Sequence, residues 1–126
     1  MKIYLAASTS KRGEMRYVRK VLTGFGHDVV SSWLDREFPA DYLQRPTDQW
    51  PQWATQDLDD VSAADVLVLF SGGGAGGRHV EFGYALAQGK RVYVVGSREN
   101  IFHALPEVRV CNDLPELCAA LAQETS

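Results

Sequence analysis

Asp65-Val66-Leu67-Val68-Leu69-Phe70-Ser71-Gly72-Gly73-Gly74-Ala75-Gly76-Gly77 joins an apolar run to a glycine-rich segment. An unbroken apolar run of strand length, bounded by a polar residue and a cluster of glycines, reads as a parallel strand buried on both faces. From about Arg78 to Gln88 the pattern turns helical, and Gly89 closes it. Strand, glycine-rich loop and helix in succession form the repeating unit of a parallel α/β sheet.

The same alternation extends in both directions. Downstream, Arg91 to Val95 predicts a fourth strand, Val108 and Val110 a weaker fifth, and Leu114 to Gln123 a final helix. Upstream, Lys2 to Ala7 is another apolar run, followed by a polar turn over Thr9 to Arg12. Met15, Val18, Leu22 and Phe25 then recur at helical spacing between Lys11 and Phe25, with Gly24 and Gly26 as the stop. His27 to Trp33 alternates and predicts the second strand, and Pro51 marks the first turn of a helix reaching about Ala64. Between them, Asp35 to Gln49 carries Pro39 and Pro46 and many polar residues, a loop long enough to serve as a lid.

This order implies an α/β fold: one domain over residues 1–126, a doubly wound, flavodoxin- or Rossmann-like sheet of five parallel strands ordered 2-1-3-4-5. Such sheets bind ligands beyond the carboxyl ends of their strands, at the switch between strands 1 and 3. Ala6 to Arg12, Trp33 to Asp35 and Ser71 to Glu81 should therefore surround one crevice.

Composition narrows the partners. A chain of 126 residues, 45% hydrophobic and 23% charged, can bury roughly two thirds of its unfolded surface without disulfides or metal. A net charge of −3 argues against a nucleic acid polymer as ligand, since phosphate backbones are met by basic faces. No basic strip suggests a membrane surface, and Met1 to Ala7 is too short for a signal peptide or a span, so a cytoplasmic location is expected. Cys111 and Cys118 have no zinc spacing and read as small hydrophobes; neither a metal nor a cofactor is implied.

Several residues at the expected crevice can carry chemistry. Glu81 falls in the first turn of a helix, where the dipole should keep it ionised, as a nucleophilic carboxylate must be. Its plain alternative is simple complementation of that dipole. Asp57 lies four residues after Trp53 on one helix face, and an indole beside a carboxyl raises its pKa toward that of a proton donor. The plain alternative there is a solvated acidic face shared with Asp59 and Asp60. The loop Ser71 to Gly77 lets backbone N–H groups approach an anion or a sugar, yet it is neither a Walker A motif nor a dinucleotide fingerprint. Ser8, Ser10, Lys11 and Arg12 crowd the end of strand 1 before a helix, a phosphate-binding arrangement or an ordinary N-cap. Tyr4 lies on strand 1 beside the crevice, while His79 and His103 have no partner that spacing identifies.

Taken together, Ile3-Tyr4-Leu5-Ala6-Ala7-Ser8, Asp57-Leu58-Asp59-Asp60-Val61-Ser62-Ala63-Ala64-Asp65 and Gly77-Arg78-His79-Val80-Glu81-Phe82-Gly83-Tyr84-Ala85-Leu86-Ala87-Gln88-Gly89-Lys90 resemble the nucleoside 2-deoxyribosyltransferase family. That group includes 2'-deoxynucleoside 5'-phosphate N-hydrolases and CMP N-glycosidases. The resemblance runs the length of the chain, and its most specific part is Glu-x-Gly-Tyr-Ala-Leu after a glycine-rich loop. It implies Glu81 as nucleophile, Asp57 as the acid for the departing base and Tyr4 as the residue orienting Glu81. Asp65 would be structural and Ser8 a phosphate contact.

Substrate contacts are further expected from Ser10, Arg12, Trp33, Trp53, Ser71, Gly77 and Arg78. The implied activity is cleavage of the N-glycosidic bond of a nucleoside or its 5'-monophosphate by double displacement, as a 2-deoxyribosyltransferase. The alternatives are a nucleotide N-glycosidase that releases free base, or a binding module without catalysis. A homodimer is implied as well. Two positions depart from the transferase pattern. Gly74-Ala75-Gly76 stands where an aspartate contacts the base, and the asparagine lent to a neighbouring subunit has no fixed counterpart, Asn100 and Asn112 both being candidates.

Overall fold

The computed structural model describes residues 1–37 and 48–125. Five parallel strands form one sheet in the order β2-β1-β3-β4-β5, the expected topology. They are β1 (Lys2–Ala6), β2 (Asp28–Val29), β3 (Val66–Phe70), β4 (Arg91–Val95) and β5 (Val108–Cys111). Four helices connect and cover them: α1 (Arg12–Gly24), α2 (Trp50–Ala63), α3 (Gly77–Ala87) and α4 (Leu114–Thr125). The lid suggested for Asp35 to Gln49 lies largely outside the described residues.

β3 is buried at every residue, and β1 at all but Lys2. Each fully buried Val or Leu there contributes about 2 kcal/mol, which explains why these two strands occupy the centre. Their registry pairs Ile3 with Val66 and Ala6 with Leu69. At the amino end Asp65 closes the pair: its Oδ2 accepts from the Lys2 N–H at 2.8 Å, while its own N–H donates to the Lys2 carbonyl at 2.8 Å. Asp65 is thus a structural residue. On α1, Met15, Val18 and Leu22 face the core as their spacing predicts. Phe25 lies past the helix end and is 67% exposed, because Gly26 at φ +90° turns the chain there.

The second strand differs from expectation. A strand over His27 to Trp33 is predicted, but β2 holds only Asp28 and Val29, and Ser32–Asp35 forms a 3-10 turn. The reason lies in the side chains opposite Leu5. Ser31 Oγ accepts from the Leu5 N–H at 2.7 Å, and the Trp33 indole N–H donates to the Leu5 carbonyl at 2.8 Å. These bonds satisfy the backbone groups that a longer β2 would have paired, so the chain is free to turn and lay Trp33 over the end of β1.

Candidate active site

At the carboxyl ends of β1 and β3 a cavity of about 280 Å³ opens between the turn after β1, the 3-10 turn at Ser32–Asp35, α2 and the start of α3. Ala7, Ser8, Trp33, Trp53, Asp57, Gly77, Arg78 and Glu81 line it, as do Arg36 and Trp50. Its walls are largely aromatic and apolar, with a few polar groups, which is the usual make-up of a small-molecule site.

Glu81 lies one turn into α3, and its carboxyl reaches back to β1. There the hydroxyl of Tyr4 donates to Oε2. Tyr4 is fully buried, and burial followed by the neighbouring Glu81 charge pushes its pKa well up, so it remains a donor. The surroundings work against the ionised carboxylate expected of Glu81 from the helix dipole. Burial raises its pKa to about 8, with Asp57 and Asp60 adding to the rise and the Tyr4 hydrogen bond and Arg36 opposing it. The dipole acts mainly within the first turn of a helix, and Glu81 sits beyond Gly77-Arg78-His79-Val80 in a place where desolvation dominates.

Asp57 faces the cavity from α2. Burial raises its pKa, as the sequence reading requires of a proton donor, and Arg36 opposes that rise. Arg36 was not anticipated. Its guanidinium bonds Asp57 Oδ1 at 2.8 Å and the Gln56 side-chain oxygen at 2.8 Å, and it lies over the Trp53 ring at 5.4 Å from the centroid. Arg36 thus fixes the Asp57 carboxyl by a charge-assisted pair while itself stacked on an indole. The available hint is its position, one residue beyond a segment already assigned to the crevice. Trp50 precedes Trp53 and Asp57 on one helix face, so helical spacing alone could have found it.

Of the other expected contacts, Ser8 is 6% exposed and lines the cavity, with its hydroxyl 3.0 Å from that of the exposed Ser10. Gly73 packs directly against it: a Cβ on Gly73, which sits at φ +92°, would fall 2.4 Å from Ser8 Cβ. Arg12 turns instead toward the Arg36 carbonyl, to which its guanidinium donates, and it does not line the cavity. The Ser71 hydroxyl accepts from the Ser97 N–H at 3.0 Å, at the edge between β3 and β4 rather than in the cavity wall.

Arg78, expected as a substrate contact, lines the cavity but has its donors engaged within the protein. It is buried, and its guanidinium donates to the carbonyls of Gly73, Gly74 and Ala75 and to both carboxylate oxygens of Glu99. Glu99 also was not anticipated, and neither was the environment of the two histidines. The fully buried His103 accepts from the Glu99 N–H at 3.0 Å through Nδ1, and His79 Nε2 lies 3.7 Å from Glu99 Oε1. Spacing could not reveal these contacts because they join the α3 start to the segment after β4.

Among the described residues no group of three or more His, Cys, Asp or Glu side chains is placed to hold a metal, and no helix is long and apolar enough to cross a membrane. Both cysteines are free.

Fold and site together define an α/β protein of 2-1-3-4-5 order, with a buried tyrosine bonded to a half-buried glutamate at the switch point beside a tryptophan-lined cavity. No protein-family model matches the chain, and no curated protein matches it significantly. Solved structures do share its fold. The CMP N-glycosidase BcmB of Clostridium botulinum is 20% identical, with a TM-score of 0.62 over 98% of this chain and 99% of that one. The 2-deoxyribosyltransferase of Bacillus psychrosaccharolyticus is 22% identical, with a TM-score of 0.70 over 93% of this chain and 90% of that one.

Proposed function

We propose that the chain is an enzyme of the nucleoside 2-deoxyribosyltransferase-like group that cleaves the N-glycosidic bond of a (deoxy)nucleoside or its 5'-monophosphate. The observation that carries this reading is the hydrogen bond from Tyr4 to Glu81 at the mouth of a cavity that Asp57 also lines. A nucleophilic carboxylate oriented by a neutral donor, with a second carboxyl of raised pKa across the cavity, suits displacement at an anomeric carbon. The two structural neighbours, whose names describe an N-glycosidase and a deoxyribosyltransferase, support the same chemistry.

In the reaction, ionised Glu81 attacks C1' and the C1'–N bond breaks, its electron pair leaving with the base. Asp57 delivers a proton to that base, and a glycosyl ester remains on Glu81. Indoles of Trp33, Trp50 and Trp53 offer an apolar wall for the base. In a transferase a second base captures the sugar from the ester; in a hydrolase water does. The buried Ser8 hydroxyl beside Ser10 favours a 5'-monophosphate as substrate, with Gly77 as part of the backbone approach.

The test is incubation with deoxynucleosides and with deoxynucleoside monophosphates, with and without an acceptor base. Free base alone indicates hydrolysis, and an exchanged nucleoside indicates transfer. A mass adduct of the sugar on quenched wild-type protein, absent in Glu81→Gln, identifies the ester. Tight nucleotide binding with no base release under any condition overturns the enzymatic reading in favour of a binding module.

A homodimer belongs to the same proposal. The exposed apolar side chains Val80, Tyr84, Ile101, Phe102 and Leu105 lie on α3 and the segment after β4, next to the site, and support an interface there. Sedimentation velocity reads the oligomeric state directly. The free cysteines Cys111 and Cys118 suit a reducing, cytoplasmic setting.

A further inference from the structure

We propose that Glu99 is a positioning residue of this site, holding the glycine-rich loop in its working shape through Arg78. The proposal builds on the function given above and concerns the loop that forms one side of the cavity.

The geometry is a clamp with two jaws. On one side, Glu99 Oε1 and Oε2 accept from Arg78 Nε and Nη2 at 3.1 and 3.0 Å, a two-point pair that fixes the guanidinium plane. On the other, Arg78 donates to the carbonyls of Gly73 at 3.3 Å, Gly74 at 3.2 Å and Ala75 at 2.6 Å. Glu99 Oε2 also accepts from the Gly72 N–H at 3.1 Å, so the carboxylate grips the loop both directly and through the arginine. The carboxylate is held in turn, because the N–H of Glu99 is anchored on His103, a fully buried ring packed 4.8 Å from Phe82.

Two consequences follow for the loop. All peptides here are trans, so each carbonyl turned toward Arg78 directs the next N–H away from it. The amides of Gly74, Ala75 and Gly76 are thereby oriented together, and Gly74 and Ala75 line the cavity. Ala75 also holds a left-handed backbone at φ 60°, unlike any other non-glycine residue among those described. Such a conformation persists where surrounding bonds over-determine it, and the Ala75 carbonyl accepts the shortest of the three loop bonds from Arg78. Without Glu99 the Arg78 cation would be buried with no counter-charge, so it would withdraw toward water and release the carbonyls.

The role is separable from general stability. A substitution that merely destabilises the fold lowers the active fraction, and with it the apparent kcat, but leaves KM unchanged. Loss of loop order before binding raises KM instead. In Glu99→Ala the KM for a deoxynucleoside or its 5'-monophosphate should rise about tenfold or more, with kcat changing by less. Amide hydrogen exchange of residues 72–76, measured without substrate, should accelerate about tenfold. Arg78→Lys keeps the charge but cannot span three carbonyls, so it should show the same pattern. Should Glu99→Ala fail to fold, Glu99→Gln keeps the size without the charge and serves in its place.

Unchanged loop exchange and unchanged KM in folded variants overturn the clamp, whatever the wild type catalyses. Faster exchange in the variants, with a wild type that releases no base, supports the clamp and overturns the enzymatic reading alone.

Discussion

The Tyr4 hydroxyl donates to Glu81 across 77 positions of sequence, joining the central strand β1 to the helix that follows its neighbour β3. Parallel pairing of those strands brings their carboxyl ends side by side, and the helix after β3 starts just beyond them. A buried carboxyl with a neutral donor fixed against it is both a chemical device and a cost to stability, and each aspect is measurable.

Substituting Glu81 by Gln or Ala should abolish base release, a loss of at least ~10³-fold in kcat, while the circular dichroism spectrum stays native-like and unfolding remains cooperative. Near-normal turnover in either variant excludes Glu81 as nucleophile.

The pH dependence of kcat/KM should rise through about pH 8, since the folded carboxyl of Glu81 titrates there and only its ionised form attacks. The Tyr4 hydrogen bond lowers that pKa, so Tyr4→Phe should move the rising limb to higher pH and slow the reaction. A limb that remains in place would remove Tyr4 from the titration of Glu81.

Stability should follow the opposite course. Below the ordinary glutamate pKa of 4.5 the carboxyl is neutral in folded and unfolded chains alike. From there to about pH 8 the folded chain keeps a proton that the unfolded chain has lost, so stability falls as pH rises through that window. Glu81→Gln has no such proton to lose. Its melting temperature relative to wild type should therefore climb by several degrees between acid and mildly alkaline buffer. A pH-independent difference would contradict the burial of this carboxyl.

Asp57→Asn should slow cleavage of poor leaving bases by about 10²-fold or more, and of activated bases far less, because only the former need a proton as they depart. Equal losses on both substrate types would assign Asp57 to binding or structure.

Gly73→Ala places a methyl group 2.4 Å from Ser8 Cβ at a backbone φ of +92°, against a serine that is itself buried. The expected cost is about 1–3 kcal/mol, read as a lower denaturant midpoint. A rise in KM should accompany it as the loop shifts from the turn after β1.

Much of this protein is written locally. The apolar runs at Lys2–Ala6 and Val66–Phe70, the periodicity of Met15, Val18 and Leu22, and the glycines after β3 determined the strands, the helices and their order. Burial of side chains at regular spacing is a property of neighbours in sequence. The resemblance also singled out Tyr4, Asp57 and Glu81 together, and the structure sets Tyr4 against Glu81 with Asp57 lining the same cavity.

Long-range balance, by contrast, emerges only when distant segments pack. Whether Glu81 is ionised depends on desolvation summed over all its surroundings, and burial outweighed the helix dipole that the sequence suggested. Arg36 meets Asp57 and Trp53, and Arg78 meets Glu99, only because separate crossovers deliver them to the carboxyl end of the sheet. The early end of β2 rests likewise on two side chains that satisfy the backbone of Leu5. Sequence pattern encodes which residues leave water; which charges then face each other is decided by the packing of distant segments.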